Sequence, residues 1–193
     1  MHIGLFFGSF NPVHTGHLII AQHIANLPEI DQVWLVVSPH NPLKQKTSLA
    51  KDYDRLHLVN ISVEDNPKIK SCSIEFHLPQ PSYTIDTLTH LKEKYPLHDF
   101  ALIMGSDILT SLHKWKNYEQ ILNNYKIYIY KRSGSLIPDS FSEHPAFRFC
   151  EAPLLEISAS YVRECIRKGS SIRYMVTDKV FEYLDGSTMY KSV

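Results

Sequence analysis

Cysteine is scarce in this 193-residue chain: Cys72, Cys150 and Cys165 are an odd number, far apart, with no C-x-x-C pair. That argues against a disulfide framework and a thiolate zinc site, and leaves all three as fillers of the interior. An excess of charge of one sign is also missing. Twenty Lys and Arg balance twenty Asp and Glu, so no global field draws in nucleic acid or an anionic membrane, and any anionic ligand must be caught locally. The longest apolar runs, residues 18–21 and 33–37, fall far short of the ~20 residues of a membrane span. No basic stretch precedes the apolar run in MHIGLFFGSF; the expectation is a strand there, not a signal peptide, and a cytoplasmic protein. Neither G-x-G-x-x-G after the first strand nor G-x-x-x-x-G-K-[ST] anywhere is present, which argues against the usual dinucleotide fingerprint and the P-loop.

The chain is 44% hydrophobic and 21% charged. That balance predicts one domain over residues 1–193, burying ~70% of the surface exposed when unfolded.

Residues 3–7 form an unbroken apolar run that stops at Gly8-Ser9, the pattern of a strand buried on both faces of a parallel sheet. Residues 17–27 carry Ile20, Ala21, Ile24 and Leu27 at helical spacing up to Pro28, and 33–37 is the next buried strand. This β-α-β order predicts a parallel sheet with helices on its faces. Tyr53, Leu56, Val59 and Val63 mark a second helix, closed by Asn66-Pro67. A strand is predicted at 73–76, a helix at 84–94 with Ile85, Leu88 and Leu91 inward, and a strand at 100–104. Further on come a helical stretch at 118–123, a strand at 125–130, an exposed loop at 133–146 and a strand at 147–150. Helices begin near Ser160 and Thr177. With no repeat or linker, the prediction is a doubly wound, mostly parallel α/β domain with a small helical C-terminal appendage at about 157–193.

The chemistry concentrates in GSFNPVHTGH, residues 8–17. Gly8 and Ser9 suit a tight exit from the strand and close approach of backbone to an anion. Gly16 suits the turn into a helix whose first N–H groups face the same point. His14 and His17 flank that glycine; an imidazole at a helix N-terminus tends to stay neutral and to donate through one N–H, as phosphate oxygens require. A single His is more often a surface or cap residue, and this pair lacks a third ligand at zinc spacing.

This stretch resembles the (T/H)xGH signature of the nucleotidyltransferase superfamily, and ISASYVR, residues 157–163, resembles its second signature, I-S-S-[ST]-x-[IV]-R. Within the superfamily, SYTIDTL (82–88), IMGSD (103–107) and Trp115 are similar to the bacterial nicotinate-nucleotide adenylyltransferases, over residues 3 to about 185. The resemblance implies transfer of the adenylyl group of ATP to nicotinate mononucleotide, releasing pyrophosphate. The attacking phosphate is already ionised, so neither a nucleophilic side chain nor a general base is needed. Alignment of two anions can contribute roughly 7–11 kcal/mol, alongside stabilisation of phosphoryl charge.

By the same resemblance, His14, His17, Lys44 and Arg163 carry the chemistry. ATP would be held by Gly8, Ser9, Phe10, His14, His17, Gly105, Asp107, Ser158, Ser160 and Arg163, with Asp107 on ribose hydroxyls and Ser160 and Arg163 on the β and γ phosphates. The nicotinate nucleotide would meet Tyr83, Thr84, Trp115 and Lys44, the indole stacking on the pyridine ring. Mg²⁺ would arrive with the ATP, with no protein ligand named. Asn11, Val13, Leu43 and Ala159 depart from the family pattern (Asp, Pro, His and Ser there), and the Leu43 change leaves one fewer donor beside Lys44. Tyr118 and Tyr161 are expected to pack. Partners are restricted to the two substrates, with no nucleic acid or membrane, for a monomer or small homo-oligomer. Rival readings are an adenylyltransferase of the same fold acting on nicotinamide mononucleotide or phosphopantetheine, and a nucleotide-binding sensor without turnover.

Overall fold

The apolar run at the start of the chain becomes β1 (His2–Gly8), the centre of a six-stranded sheet. The computed structural model describes residues 1–39, 49–132, 134, 137, 139–153 and 155–191. Around β1 lie β2 (Gln32–Val37), β3 (Ile69–Cys72), β4 (Asp99–Gly105), β5 (Ile127–Tyr130) and β6 (Phe147–Cys150), in the order β3-β2-β1-β4-β5-β6. Every pairing is parallel.

Strand residues alternate between two buried layers. Phe6, Val33, Leu35, Val37 and Ile103 face α1 (Thr15–Ala25), α2 (Asp52–Val63), α6 (Ala159–Arg167) and α7 (Asp178–Asp185). Ile3, Leu5, Val36, Leu102 and Met104 face α3 (Thr84–Lys94), α4 (Tyr118–Asn124) and a 3-10 segment, Ser106–Lys114. The chain leaving β1 thus turns to one face and the chain leaving neighbouring β4 to the other. That reversal opens a crevice beyond their carboxyl ends, where ligands bind in doubly wound sheets. The C-terminal helices join the first layer through Val162, Cys165, Val180 and Leu184. A one-turn helix, α5 (Asp139–Ser142), lies inside the stretch expected to be a loop. Among the described residues no helix is long and apolar enough to cross a membrane, and all three cysteines are free.

Besides α5, the structure departs from the sequence reading of the fold in four places. The strand expected at 73–76 lies earlier, at Ile69–Cys72, because β2 pairs with those four residues; beyond them the chain coils into a 3-10 turn, Ile74–His77. The segment Ser106–Lys114 is helical with Leu109 and Leu112 buried, a period of three that matches 3-10 winding. In α2 the inward position belongs to Arg55, wholly buried, while Tyr53 is 69% exposed. Tyr161, expected to pack, is 51% exposed, on the open side of α6.

Candidate active site

Beyond β1 the loop is shaped by an aromatic ring. Phe10 adopts a left-handed backbone (φ 43°), sparsely populated for a bulky residue. Its side chain is buried, edge-on to Phe6 at 6.0 Å and to His17 at 5.0 Å. A Cβ on Gly8 would lie 2.9 Å from Phe10 Cζ, so Gly8 makes room for this ring. Phe10 can therefore offer a ligand only its main chain. Gly16 also differs from its expected part as the turn into the helix. It lies within the first turn of α1, where a Cβ would lie 3.1 Å from His14 Nδ1, so it clears space for the imidazole.

His14 is the N-cap of α1, and its ring stacks on that of His17, centroids 3.6 Å apart. The His14 N–H donates to His17 Nδ1 at 3.2 Å, which sets the neutral His17 tautomer with its proton on Nε2. The His17 N–H bonds the His14 carbonyl at 2.9 Å and also points toward the His14 ring, closing a reciprocal capping box, and the buried His14 Nδ1 makes no well-formed hydrogen bond among the described residues. Burial, and secondarily the positive Arg132, lower the His14 pKa to about 4, so this imidazole is neutral near pH 7 at the positive end of a helix.

The second signature folds back onto the first. Ser158 caps α6, its hydroxyl accepting the Tyr161 N–H at 3.1 Å, while Ser160 sits exposed in the first turn. Arg163 donates to the Asn11 carbonyl at 2.7 Å and to Ser160 Oγ at 3.2 Å, and its buried Nε has no partner among the described residues. A Cβ on Gly16 would come within 3.9 Å of Ile157 Cβ, so α1 and α6 bring their N-termini together. Two of the four orphaned buried side-chain atoms among the described residues, His14 Nδ1 and Arg163 Nε, belong to this junction. Buried polar atoms are rarely left unpaired, so these two point to a ligand.

Across the crevice, Gly105 ends β4 where any Cβ would run into the Asp107 carboxylate and crowd Arg132 and Tyr130. Arg132 Nε lies 3.7 Å from Asp107 Oδ1, and the Arg132 N–H donates to buried Ser106 Oγ at 2.8 Å. The sequence reading missed Arg132: a single cation after β5 carries no motif, and its role comes from its proximity to His14.

Tyr83, the residue before α3, and Trp115, just past the 3-10 segment, are joined through Lys116. Its ammonium lies 5.0 Å from the Tyr83 ring centroid and 2.8 Å from the Asp86 carboxylate. The Trp115 indole is half-buried. Thr84 opens α3, whose first N–H groups receive no side-chain cap, leaving a helix N-terminus next to Tyr83. Beneath it sits Glu75, 3% exposed, accepting the Thr87 hydroxyl at 2.8 Å. The Ser38 hydroxyl also bonds this carboxylate, and burial pushes its pKa up. Ser82 Oγ faces the same group without reaching good hydrogen-bond geometry.

Lys44 lies outside the described residues. The chain on either side of that stretch is held by Arg55, which the sequence reading also missed although it shares a helical face with Leu58, Val59 and Ser62. Its guanidinium donates to the carbonyls of Ser9, Ser38 (2.9 Å), Pro39 (3.3 Å) and Ala50 (3.1 Å) and to Asp52 Oδ1 (2.7 Å). All five donors are used. Among the described residues no group of three or more His, Cys, Asp or Glu forms a metal cage.

The structure thus gathers Gly8, Ser9, His14, His17, Ser158, Ser160 and Arg163 at one junction, Gly105 and Asp107 facing it through Arg132, and Tyr83 and Thr84 at the N-terminus of α3, with Trp115 linked to Tyr83 through its neighbour Lys116. Residues 5–165 match the model of the cytidylyltransferase-like family. A protein of Flavobacterium psychrophilum named "Probable nicotinate-nucleotide adenylyltransferase" is 53% identical over 99% of this chain and 100% of its own. One of the same name from Bacteroides fragilis is 40% identical over 93% of this chain and 89% of its own. The fold matches that of Plasmodium falciparum nicotinic acid mononucleotide adenylyltransferase complexed with NaAD, with a TM-score of 0.82 at 23% identity over 98% of this chain and 97% of that one. By sequence over nearly its whole length, the chain belongs to the nicotinate-nucleotide adenylyltransferases of the cytidylyltransferase-like family.

Proposed function

We infer that this chain works as its family does, joining the AMP part of ATP to nicotinate mononucleotide. An oxygen of the mononucleotide phosphate attacks the α-phosphorus in line; the bond to the β-phosphate oxygen breaks, and pyrophosphate leaves with the electron pair. The observation that carries this reading is the stacked His14–His17 pair at the N-terminus of α1, with Arg163 of the second signature folded onto the same loop through the Asn11 carbonyl. Those groups suit donors to phosphate oxygens.

In this reading the main chain at Gly8, Ser9 and Phe10 and the imidazoles of His14 and His17 hold the triphosphate, with His17 nearest the α-phosphate. Ser158 sets the start of α6, so that Ser160 and Arg163 take the charge of the departing pyrophosphate. Gly105 and Asp107 meet the ribose. Arg132 and Lys44 neutralise phosphate charge. Trp115 stacks on the pyridine ring, and the α3 N-terminus at Tyr83 and Thr84 takes its carboxylate. Among the described residues nitrogen donors dominate the junction, which suits polyphosphate oxygens whose Mg²⁺ would be held by ATP oxygens and water. Dependence on ATP fits a cytoplasmic enzyme.

Pyrophosphate release from ATP and nicotinate mononucleotide tests this directly. The expected result is turnover with a clear preference in kcat/KM over nicotinamide mononucleotide, because helix donors left unpaired reject the analogue lacking a carboxylate. No release with either acceptor overturns the reading, and equal kcat/KM overturns the acceptor assignment.

A further inference from the structure

Far from both signatures in sequence, Tyr190 reaches the nucleotide loop. Its hydroxyl donates to Asn11 Oδ1 at 2.7 Å, across 179 residues of sequence. The same oxygen accepts the Ala50 N–H at 3.1 Å, so both acceptor sites of the Asn11 carboxamide oxygen are filled and the side chain, only 4% exposed, is fixed. The Asn11 main-chain carbonyl accepts the Arg163 guanidinium at 2.7 Å. Phenol, carboxamide, carbonyl and guanidinium form one continuous chain of contacts ending at the buried Arg163 nitrogen that has no partner among the described residues. The phenol stays neutral and able to donate because burial pushes its pKa up. Its backbone adopts a left-handed conformation (φ 65°), an unfavourable geometry for tyrosine that this contact helps to retain.

We propose that Tyr190 is a positioning residue of the adenylyl-transfer site, fixing Asn11 and through it the Arg163 guanidinium for the polyphosphate. The proposal rests on the functional reading above and extends it to a residue outside both signatures.

The test is a two-residue cycle of Tyr190→Phe and Arg163→Lys in the full chain, read by steady-state kinetics and by calorimetric titration with a non-hydrolysable ATP analogue. Phenylalanine keeps the ring, so Tyr190→Phe should fold and melt within a few degrees of the wild type. Its kcat/KM for ATP should fall about five- to tenfold, the loss of one hydrogen bond, with KM for nicotinate mononucleotide within twofold. Because Tyr190 acts through Arg163, the double variant should be no worse than Arg163→Lys alone. A merely structural tyrosine would depress both substrates together and multiply with Arg163→Lys. Either of those patterns, or a Tyr190→Phe enzyme with wild-type ATP kinetics, overturns the proposal while the functional reading stands. A wild-type protein that neither binds nor turns over ATP overturns both.

Discussion

Replacing Arg55 by lysine keeps the charge and removes the fork of donors. The guanidinium makes five contacts, four of them to backbone carbonyls in the loop after β1, at the end of β2 and ahead of α2, and its side chain is 0% exposed. An ammonium has three donors, so at least two of the five acceptors lose their partner. Each buried polar group left unsatisfied costs about 1–3 kcal/mol, which puts Arg55→Lys at about 2–6 kcal/mol, a large share of a typical stability of about 5–15 kcal/mol. At about 2–4 °C per kcal/mol for a chain of this size, the melting temperature should drop by about 4–24 °C. Differential scanning calorimetry without ligand is the assay. Asp52→Asn is the control: that carboxylate is 42% exposed, so its removal should cost less than about 1 kcal/mol. An Arg55→Lys protein melting within 2 °C of the wild type would show that these contacts do not hold the loop.

Three further outcomes are expected. His17→Ala should lower kcat by about 10² or more, as for loss of one donor to a developing oxyanion; near-normal turnover in a folded variant removes His17 from the chemistry. His14 ties stability to pH: between its ordinary value of 6.5 and about 4 in the fold, the unfolded chain binds more protons. Stability therefore falls as pH drops through that window, levelling below about 4, by at most about 3 kcal/mol. Urea titrations at pH 7.0, 5.5 and 4.5 should show a gentler decline for His14→Gln, and identical declines would contradict the burial argument. Thr84→Ala should raise KM for nicotinate mononucleotide and spare ATP binding in calorimetric titration, and the reverse pattern would exchange the two subsites.

Much of the fold could be read from the sequence because local pattern and burial agree. The helix Thr84–Lys94 and strand Phe147–Cys150 lie within the expected limits, since their apolar spacing matches the faces they bury. Residues 73–76 misled because Ile74 and Phe76 alternate like a strand; partner availability on β2 ended the ladder at Cys72. That residues 8–17 and 157–163 meet at one junction was legible because they form two short motifs that the fold brings together. Arg55, Glu75, Arg132 and Tyr190 were not, because each stands alone in the sequence and acquires meaning only through contacts with distant carbonyls, hydroxyls or imidazoles. In Arg55 a signal did exist: a cation on the apolar face of α2 must find buried acceptors there.

The most direct measurement is a crystal structure of the protein with a non-hydrolysable ATP analogue and nicotinate mononucleotide. The expected result is the α-phosphate within hydrogen-bond distance of His14 and His17, with the outer phosphates against Arg163 and the pyridine ring against Trp115. A nucleotide bound elsewhere, with both imidazoles making no contact to it, would contradict the placement of the triphosphate at the junction of α1 and α6.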